Sequence, residues 1–262
     1  MKLLSIIIVT LNCEKKIKKT IESVIFQDPN IYELIIIDGS SSDKTVRTFL
    51  RYRKFIKYYI SEPDFGIYDA MNKGVSQAKG KWLIFLNAGD KLAENDTLSR
   101  IPFEALKNYT YIFFAFRMKN SRKINYPLPL TKFFMPTSHQ AAFISRSHMK
   151  KNLFNLQYKV ASDFDQYLTF IKKRDNLSLI LTQGLPITII EEGGFSRINI
   201  KLQHREYFKI IRANFDFFSS LIFLVWKNRK FISLVKNSKS RSNNLYFSIT
   251  NLSSSFSFFR FP

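Results

Sequence analysis

The chain has 262 residues, with 41 Lys+Arg against 20 Asp+Glu for a formal net charge of +21, and 45% of it is hydrophobic and 16% aromatic. This apolar content excludes a disordered chain, and one compact unit of such a length buries roughly 70 to 75% of the surface its unfolded form exposes. The lone Cys13 excludes an internal disulfide and a small disulfide-stapled secreted scaffold, so a reducing, cytoplasmic setting is expected, while the positive excess calls for polyanionic neighbours such as nucleic acid, nucleotide phosphates or an anionic membrane face.

Lys2 is followed by an apolar run from Leu3 to Leu11. No small-residue cleavage site follows, and the run passes straight into Asn12, Glu14, Lys15 and Lys16, so it reads as a buried strand and not as a signal peptide. Ile17, Ile21, Val24 and Ile25 recur at helical spacing, and Leu34 to Ile37 form a second apolar run that stops at Asp38. Continuous runs of this kind are what strands buried on both faces of a parallel sheet look like. Asp43 to Arg53 is predicted as a helix and Lys57 to Ser61 as a third strand. Ile67, Ala70, Met71, Gly74, Val75 and Ala78 mark one amphipathic helix, with Gly80 as its C-terminal glycine, and Trp82 to Leu86 is the fourth strand.

This alternation predicts an open α/β sheet, which binds ligands at the carboxyl ends of its strands. Polar residues gather at four such ends: Thr10 and Asn12, Asp38 to Asp43, Glu62 and Asp64, and Asn87 to Asp90. Beyond Asp90 the pattern predicts a helix near Thr97 to Lys107, an aromatic strand from Tyr109 to Met118 and a Pro-containing connection through Pro127, Pro129 and Pro136. Strands at Ala141 to Ser145, Leu179 to Leu181 and Ile187 to Ile190 and a helix at Ser162 to Lys172 complete a second half, which stops at Gly193 and Gly194. From Arg197 onward there are twelve Lys and Arg against only Glu206 and Asp216. No segment reaches the ~18 uninterrupted apolar residues that cross a bilayer as a helix. Tyr207, Phe208, Ile210, Ile211, Phe215, Phe218, Leu221, Ile222 and Val225, beside Lys227, Arg229 and Lys230, are instead expected to form an amphipathic face lying on an anionic membrane.

Three segments, SIIIVTLN at 5 to 12, ELIIIDGSSSDKT at 33 to 45 and SEPDFGIYDAMNKGVSQAKGKWLIFLNAGD at 61 to 90, resemble the nucleotide-sugar glycosyltransferases of family 2. The third looks most like the colanic-acid-type exopolysaccharide subgroup. The resemblance covers about the first 200 residues. It implies the GT-A fold, a Rossmann-like open mixed sheet flanked by helices, over 1–200, with a nucleotide-binding half at 1–90 and an acceptor half at 91–200. A basic, aromatic-rich helical extension and tail then occupies 201–262.

What the resemblance implies for single residues agrees with what their chemistry allows. Asp38 faces the cleft, where a carboxylate accepts hydrogen bonds from a base N–H or a ribose hydroxyl. Thr10 and Asn12 are further base contacts, Asp64, Asn72 and Lys73 are ribose or diphosphate contacts, and Asp43 is an N-cap. Asn87, Ala88, Gly89 and Asp90 stand where the family has its acidic metal-binding motif, so Asp90 is the expected ligand of Mn2+ or Mg2+ and Asn87 occupies the place of the other acid. Asp163, opening the helix at 162, matches the general base of an inverting transfer, which takes the proton of the acceptor hydroxyl as that oxygen attacks the anomeric carbon. His139 and Gln140 are candidate acceptor contacts or an extra metal ligand. Gly193 and Gly194 are candidate phosphate-gripping backbone. His148 and His204 are expected at the surface.

The implied enzyme is a hexosyltransferase that uses a nucleotide-diphosphate sugar and a saccharide or polyprenyl-diphosphate-linked acceptor, without nucleic acid, at the inner face of the cell membrane. Processive relatives carry a Gln-x-x-Arg-Trp signature, and Gln203, His204, Arg205, Glu206, Tyr207 falls short of it, so one sugar is added per encounter. No G-x-G-x-x-G follows the first strand, which argues against a dinucleotide-dependent dehydrogenase. The rival reading is a non-catalytic basic module for nucleotides or other polyanions. Its weakness is that the charge gathers near the C-terminus and away from any nucleic-acid-binding motif.

Overall fold

The structure is a computed structural model and describes residues 2–128, 133–172, 179–194, 198–215 and 258–260. Strands β1 (Leu4–Thr10) and β2 (Tyr32–Asp38) are buried from end to end. Their side chains divide with the two-residue period of a strand. Ile7, Val9, Ile35 and Ile37 join one core cluster, and Leu4, Ile6, Ile8, Leu34 and Ile36 join the other, so each sheet face has its own core. Helix α1 (Glu14–Ile25) covers the second face with Ile17, Ile21 and Val24.

The connection after β2 holds the short helix α2 (Thr45–Leu50) and a 3-10 turn at Arg53–Phe55, in place of the single helix expected over 43–53. Strand β3 (Ile56–Ser61) follows, then α3 (Ile67–Gln77) on the first face and β4 (Trp82–Asn87). Gly74 is needed for close approach, because a Cβ there would run into Ile7 of β1. Gly80 has a different role from the expected helix terminator. The helix already ends at Gln77, and a Cβ on Gly80 would stand 2.5 Å from the Ser5 amide nitrogen.

The expected helix at 97–107 is instead a series of turns closed by short-range bonds such as Ile101 N–H to Leu98 O and Leu106 N–H to Phe103 O. Pro102 is the cause, since it offers no N–H and disfavours helical geometry at Ile101. The aromatic run at 109–118 likewise splits into β6 (Tyr111–Phe113) and β7 (Phe116–Met118), which lie in different sheets. Short strands β5 (Lys91–Leu92) and β8 (Ile124–Asn125) precede a 3-10 turn at His139–Ala141, β9 (Ala142–Ser145) and helix α4 (Arg146–Lys151). Helix α5 (Ser162–Lys172), β10 (Leu179–Gln183), β11 (Thr188–Ile190), α6 (Ile200–Asn214) and β12 (Phe258–Arg260) complete the described elements.

The main sheet runs β12-β10-β6-β9-β4-β1-β2-β3, with β9 antiparallel to both neighbours and the other pairs parallel. A smaller sheet runs β5-β11-β7-β8. His148 departs from its expected surface position: it is half-buried, with ring centroids 5.7 Å from Tyr111 and 5.3 Å from Phe170.

The amphipathic face expected on a membrane is partly occupied. Ile210 and Ile211 are fully buried in the first core, and Tyr207, Phe208 and Phe215 pack against it. The rest of that stretch, from 216 through Lys227, Arg229 and Lys230, lies outside the described residues, as does Pro129. Among the described residues no helix is long and apolar enough to cross a membrane.

Candidate active site at the carboxyl ends of the strands

β1, β2, β3 and β4 are parallel neighbours and therefore deliver Thr10, Asp38, Ser61 and Asn87 to one edge. Asp38 is fully buried. Its carboxylate accepts from the Ser41 amide at 2.8 Å, the Ser41 hydroxyl and the Ser61 hydroxyl at 2.7 Å, so much of its accepting capacity serves the turn that follows β2. Asn12 has a left-handed backbone (φ 50) and its Oδ1 accepts from the Ser42 amide at 2.9 Å. Asp43 receives N–H groups from Glu14 and Thr45 and so bridges the starts of α1 and α2, whereas the residue at the cap position of α2 is Lys44 and not the expected Asp43. Asp64 lies against Gly39 and accepts from Gly66 N–H at 2.8 Å.

Two expected ligand contacts are committed to the scaffold instead. Asn72 donates to the Phe154 carbonyl and accepts from the Phe154 N–H, both at 2.9 Å, and so ties α3 to the loop before α5. Lys73 pairs with Glu62 at 2.8 Å and donates to the Pro63 carbonyl, which fixes the loop after β3, and the Glu62 contact raises its pKa. Gly193, with φ 74, and Gly194 follow β11 with open space around them.

The other half of the site is organised by the 3-10 turn. His139 Nδ1 lies 3.2 Å from Asp163 Oδ2, and the next residue, Gln140, donates to Asp90 Oδ2 at 3.1 Å. Asp163 sits in the first turn of α5, where a carboxylate is favoured by the helix dipole. Its Oδ1 accepts from the Tyr68 hydroxyl at 3.0 Å and from Phe164 N–H at 2.9 Å. Tyr68, a member of the first core cluster, thus also holds the acid, and burial pushes its phenol well above its ordinary pKa.

Asp90 is held from three sides. Besides Gln140 it accepts from Asn87 N–H at 3.2 Å and from Glu191 N–H at 2.9 Å, which links it to the end of β11. Burial raises its pKa despite these donors. Among the described residues no group of three His, Cys, Asp or Glu could by itself hold a metal ion. The donor set nevertheless suits a hard cation shared with a diphosphate, which needs only one or two protein carboxylates. Asn87 Oδ1, His139 Nε2 and Thr10 Oγ1 are buried polar atoms without a hydrogen-bond partner.

Sequence reading missed the support behind Asp163. Glu206, on α6, is buried and accepts from the consecutive N–H groups of Lys159, Val160 and Ala161 at 2.8, 2.9 and 2.9 Å. Its neighbour Tyr207 stacks on Phe164 with ring centroids 4.2 Å apart. Burial, and next to it the charge of Asp163, raises the Tyr207 pKa. The available signal was a single acid in a strongly basic stretch.

Residues 5–174 match the family described as glycosyl transferase family 2. The chain is 29% identical over 214 residues to the PGL/p-HBAD biosynthesis glycosyltransferase of Mycobacterium bovis (strain BCG / Pasteur 1173P2), covering 78% of this chain and 82% of that one. Over 114 residues it is 32% identical to the GalNAc(5)-diNAcBac-PP-undecaprenol beta-1,3-glucosyltransferase of Campylobacter jejuni, covering 42% of this chain and 37% of that one. Its fold superposes with a TM-score of 0.63 on the mannosyltransferase PcManGT of Pyrobaculum calidifontis, solved in complex with GDP-Man and Mn2+, at 13% identity, covering 95% of this chain and 83% of that one. With the mixed sheet, the polar side chains gathered at its strand ends and the family match all in agreement, the chain belongs to glycosyl transferase family 2 and is a glycosyltransferase of the GT-A fold.

Proposed function

We propose that the chain is an inverting, non-processive transferase that moves a sugar from a nucleotide-diphosphate donor to a saccharide or polyprenyl-diphosphate-linked saccharide. The observation that carries this reading is the pairing of Asp163 with His139 and of Asp90 with Gln140 through adjacent residues. Asp163 is partly exposed at a helix start and accepts the acceptor hydroxyl's proton, while His139 and Tyr68 hold its carboxylate in place. Thr10, Asn12 and Asp38 line the base side, and Asp90 with Asn87 lines the diphosphate side. Asp90 and Asn87 would hold a divalent cation, which when bound would neutralise charge on the leaving nucleoside diphosphate.

The block at 61 to 90 supports placement in the colanic-acid-type subgroup and hence in bacterial surface polysaccharide assembly. The name of the Campylobacter relative, which specifies a PP-undecaprenol substrate, supports a lipid-linked acceptor. Such an acceptor places the enzyme at the inner membrane face, with the basic segment beyond α6 as its contact. The test is release of nucleoside diphosphate from a panel of nucleotide sugars, with and without Mg2+ or Mn2+. Cation-stimulated release is expected with at least one donor. No release, or release that cations and loss of Asp90 leave unchanged, refutes the reading.

A further inference from the structure

A cavity of about 440 Å³ opens between residues 157–159 and α6, outside the strand-end site. Lys159, Arg205 and Lys209 line it, with Tyr158 and Leu202 forming less polar wall. The acid that also lines it, Glu206, already receives three backbone N–H groups, so its oxygens serve the turn before α5. None of the three cations is in an ion pair among the described residues. Arg205 and Lys209 are four residues apart on one helix, a like-charge spacing that weakens an isolated helix and that a bound anion would offset. A guanidinium beside two ammonium groups suits phosphate oxygens, which take the guanidinium fork in a bidentate fashion.

We propose that this cavity binds the diphosphate of the acceptor. Lys159 is four residues from Asp163, so their Cα atoms are at most ~14 Å apart, a gap that the first sugars of a diphosphate-linked glycan can bridge. A phosphate held there presents an attached sugar hydroxyl towards the carboxylate that deprotonates it. Identifying the phosphate as the acceptor's rests on the transferase reading above, whereas the cavity's affinity for a phosphate anion does not.

The test uses full-length protein saturated with UDP, into which inorganic pyrophosphate is titrated by calorimetry. Arg205→Gln/Lys209→Gln is expected to weaken pyrophosphate binding at least tenfold and to leave the affinity for UDP itself unchanged. Equal pyrophosphate affinity in the two proteins overturns the proposal. A second arm measures binding to phosphatidylcholine vesicles with and without phosphatidylglycerol. If the double variant loses only the phosphatidylglycerol-dependent binding while pyrophosphate affinity is unchanged, the cations serve a lipid headgroup and the proposal fails. If UDP binds neither protein but pyrophosphate still discriminates between them, the cavity stands independently of the strand-end reading, which fails only if no nucleoside diphosphate binds. Matching urea midpoints for wild type and variant confirm that a lost affinity is not a lost fold.

Discussion

Replacing Glu206 by Gln separates what α6 contributes to the helix that carries Asp163 from mere coverage. The carboxylate serves Lys159 N–H through one oxygen and the N–H groups of Val160 and Ala161 through the other. An amide has a single acceptor oxygen. The better orientation keeps Val160 and Ala161 bonded and turns an NH2 group against Lys159 N–H, which loses its partner. Hydrogen bonds to charged groups are worth about 1.5–3 kcal/mol each, and the two retained bonds lose their charge assistance. The sum is a loss of about 2–4 kcal/mol, less if water reaches Lys159. Urea unfolding measures it. Because the same turn leads into Asp163 and its Val160 carbonyl receives the Tyr68 hydroxyl, kcat is expected to fall more than donor KM changes. A variant with a stability within about 0.5 kcal/mol of wild type, an uncertainty typical of such comparisons, and unchanged kcat would refute the reasoning.

Asp163→Asn is expected to lower turnover by roughly 100- to 10,000-fold with donor affinity intact, since a general base acts on the acceptor; calorimetry beside a nucleoside-diphosphate release assay checks both halves. Asp90→Ala should abolish cation-dependent donor binding and Asn87→Ala only weaken it, as Mn2+ titrations will show. Burial raises the Asp90 pKa, so protons compete with the cation at a higher pH than at an ordinary aspartate, and cation-assisted UDP binding should be lost on acidification at a correspondingly higher pH. Titrations between about pH 3 and about pH 8 test that sign; a loss confined to the ordinary aspartate range contradicts it. Gly74→Ala forces a methyl into Ile7 and should cost about 1–3 kcal/mol by thermal or urea unfolding, with no direct effect on chemistry.

The parts of the fold that were legible from sequence are those where one local signal sufficed. The apolar runs of β1, β2 and β4 lie in the middle of the sheet with both faces covered, so their composition alone names them. The periodicity of α3 did the same. The helix expected near Thr97 to Lys107 does not form because one proline, Pro102, decides the backbone there. The split of 109–118 was hidden for another reason: Phe114 N–H bonds to Ala141 and Ile187 N–H to Ala115, so partners distant in sequence cut the run in two. Among the candidate site residues, Asp38, Asp90 and Asp163 stand at or next to ends of elements, a position the sequence pattern reports. The commitments of Asn72 to Phe154 and of Glu206 to residues 159–161 depend on chain segments tens of residues away, and no spacing rule reports them.

The adjacency of His139 and Gln140 shows how the fold joins two distant carboxylates. In a 3-10 turn successive residues project about 120° apart, so two neighbours on one turn address different partners. That turn leads directly into β9, the strand that enters the sheet antiparallel between β4 and β6. β9 is thereby anchored beside β4, whose end carries Asn87 and, three residues on, Asp90, while the side chain one residue earlier in the turn reaches α5. Asp90 and Asp163 are therefore positioned relative to each other by two side chains on one rigid turn, and not by two independently mobile loops. For the inverting transfer proposed above, in which the leaving diphosphate and the attacking hydroxyl are held on opposite sides of one sugar carbon, the separation of the two acids is the quantity that would matter, and this turn sets it.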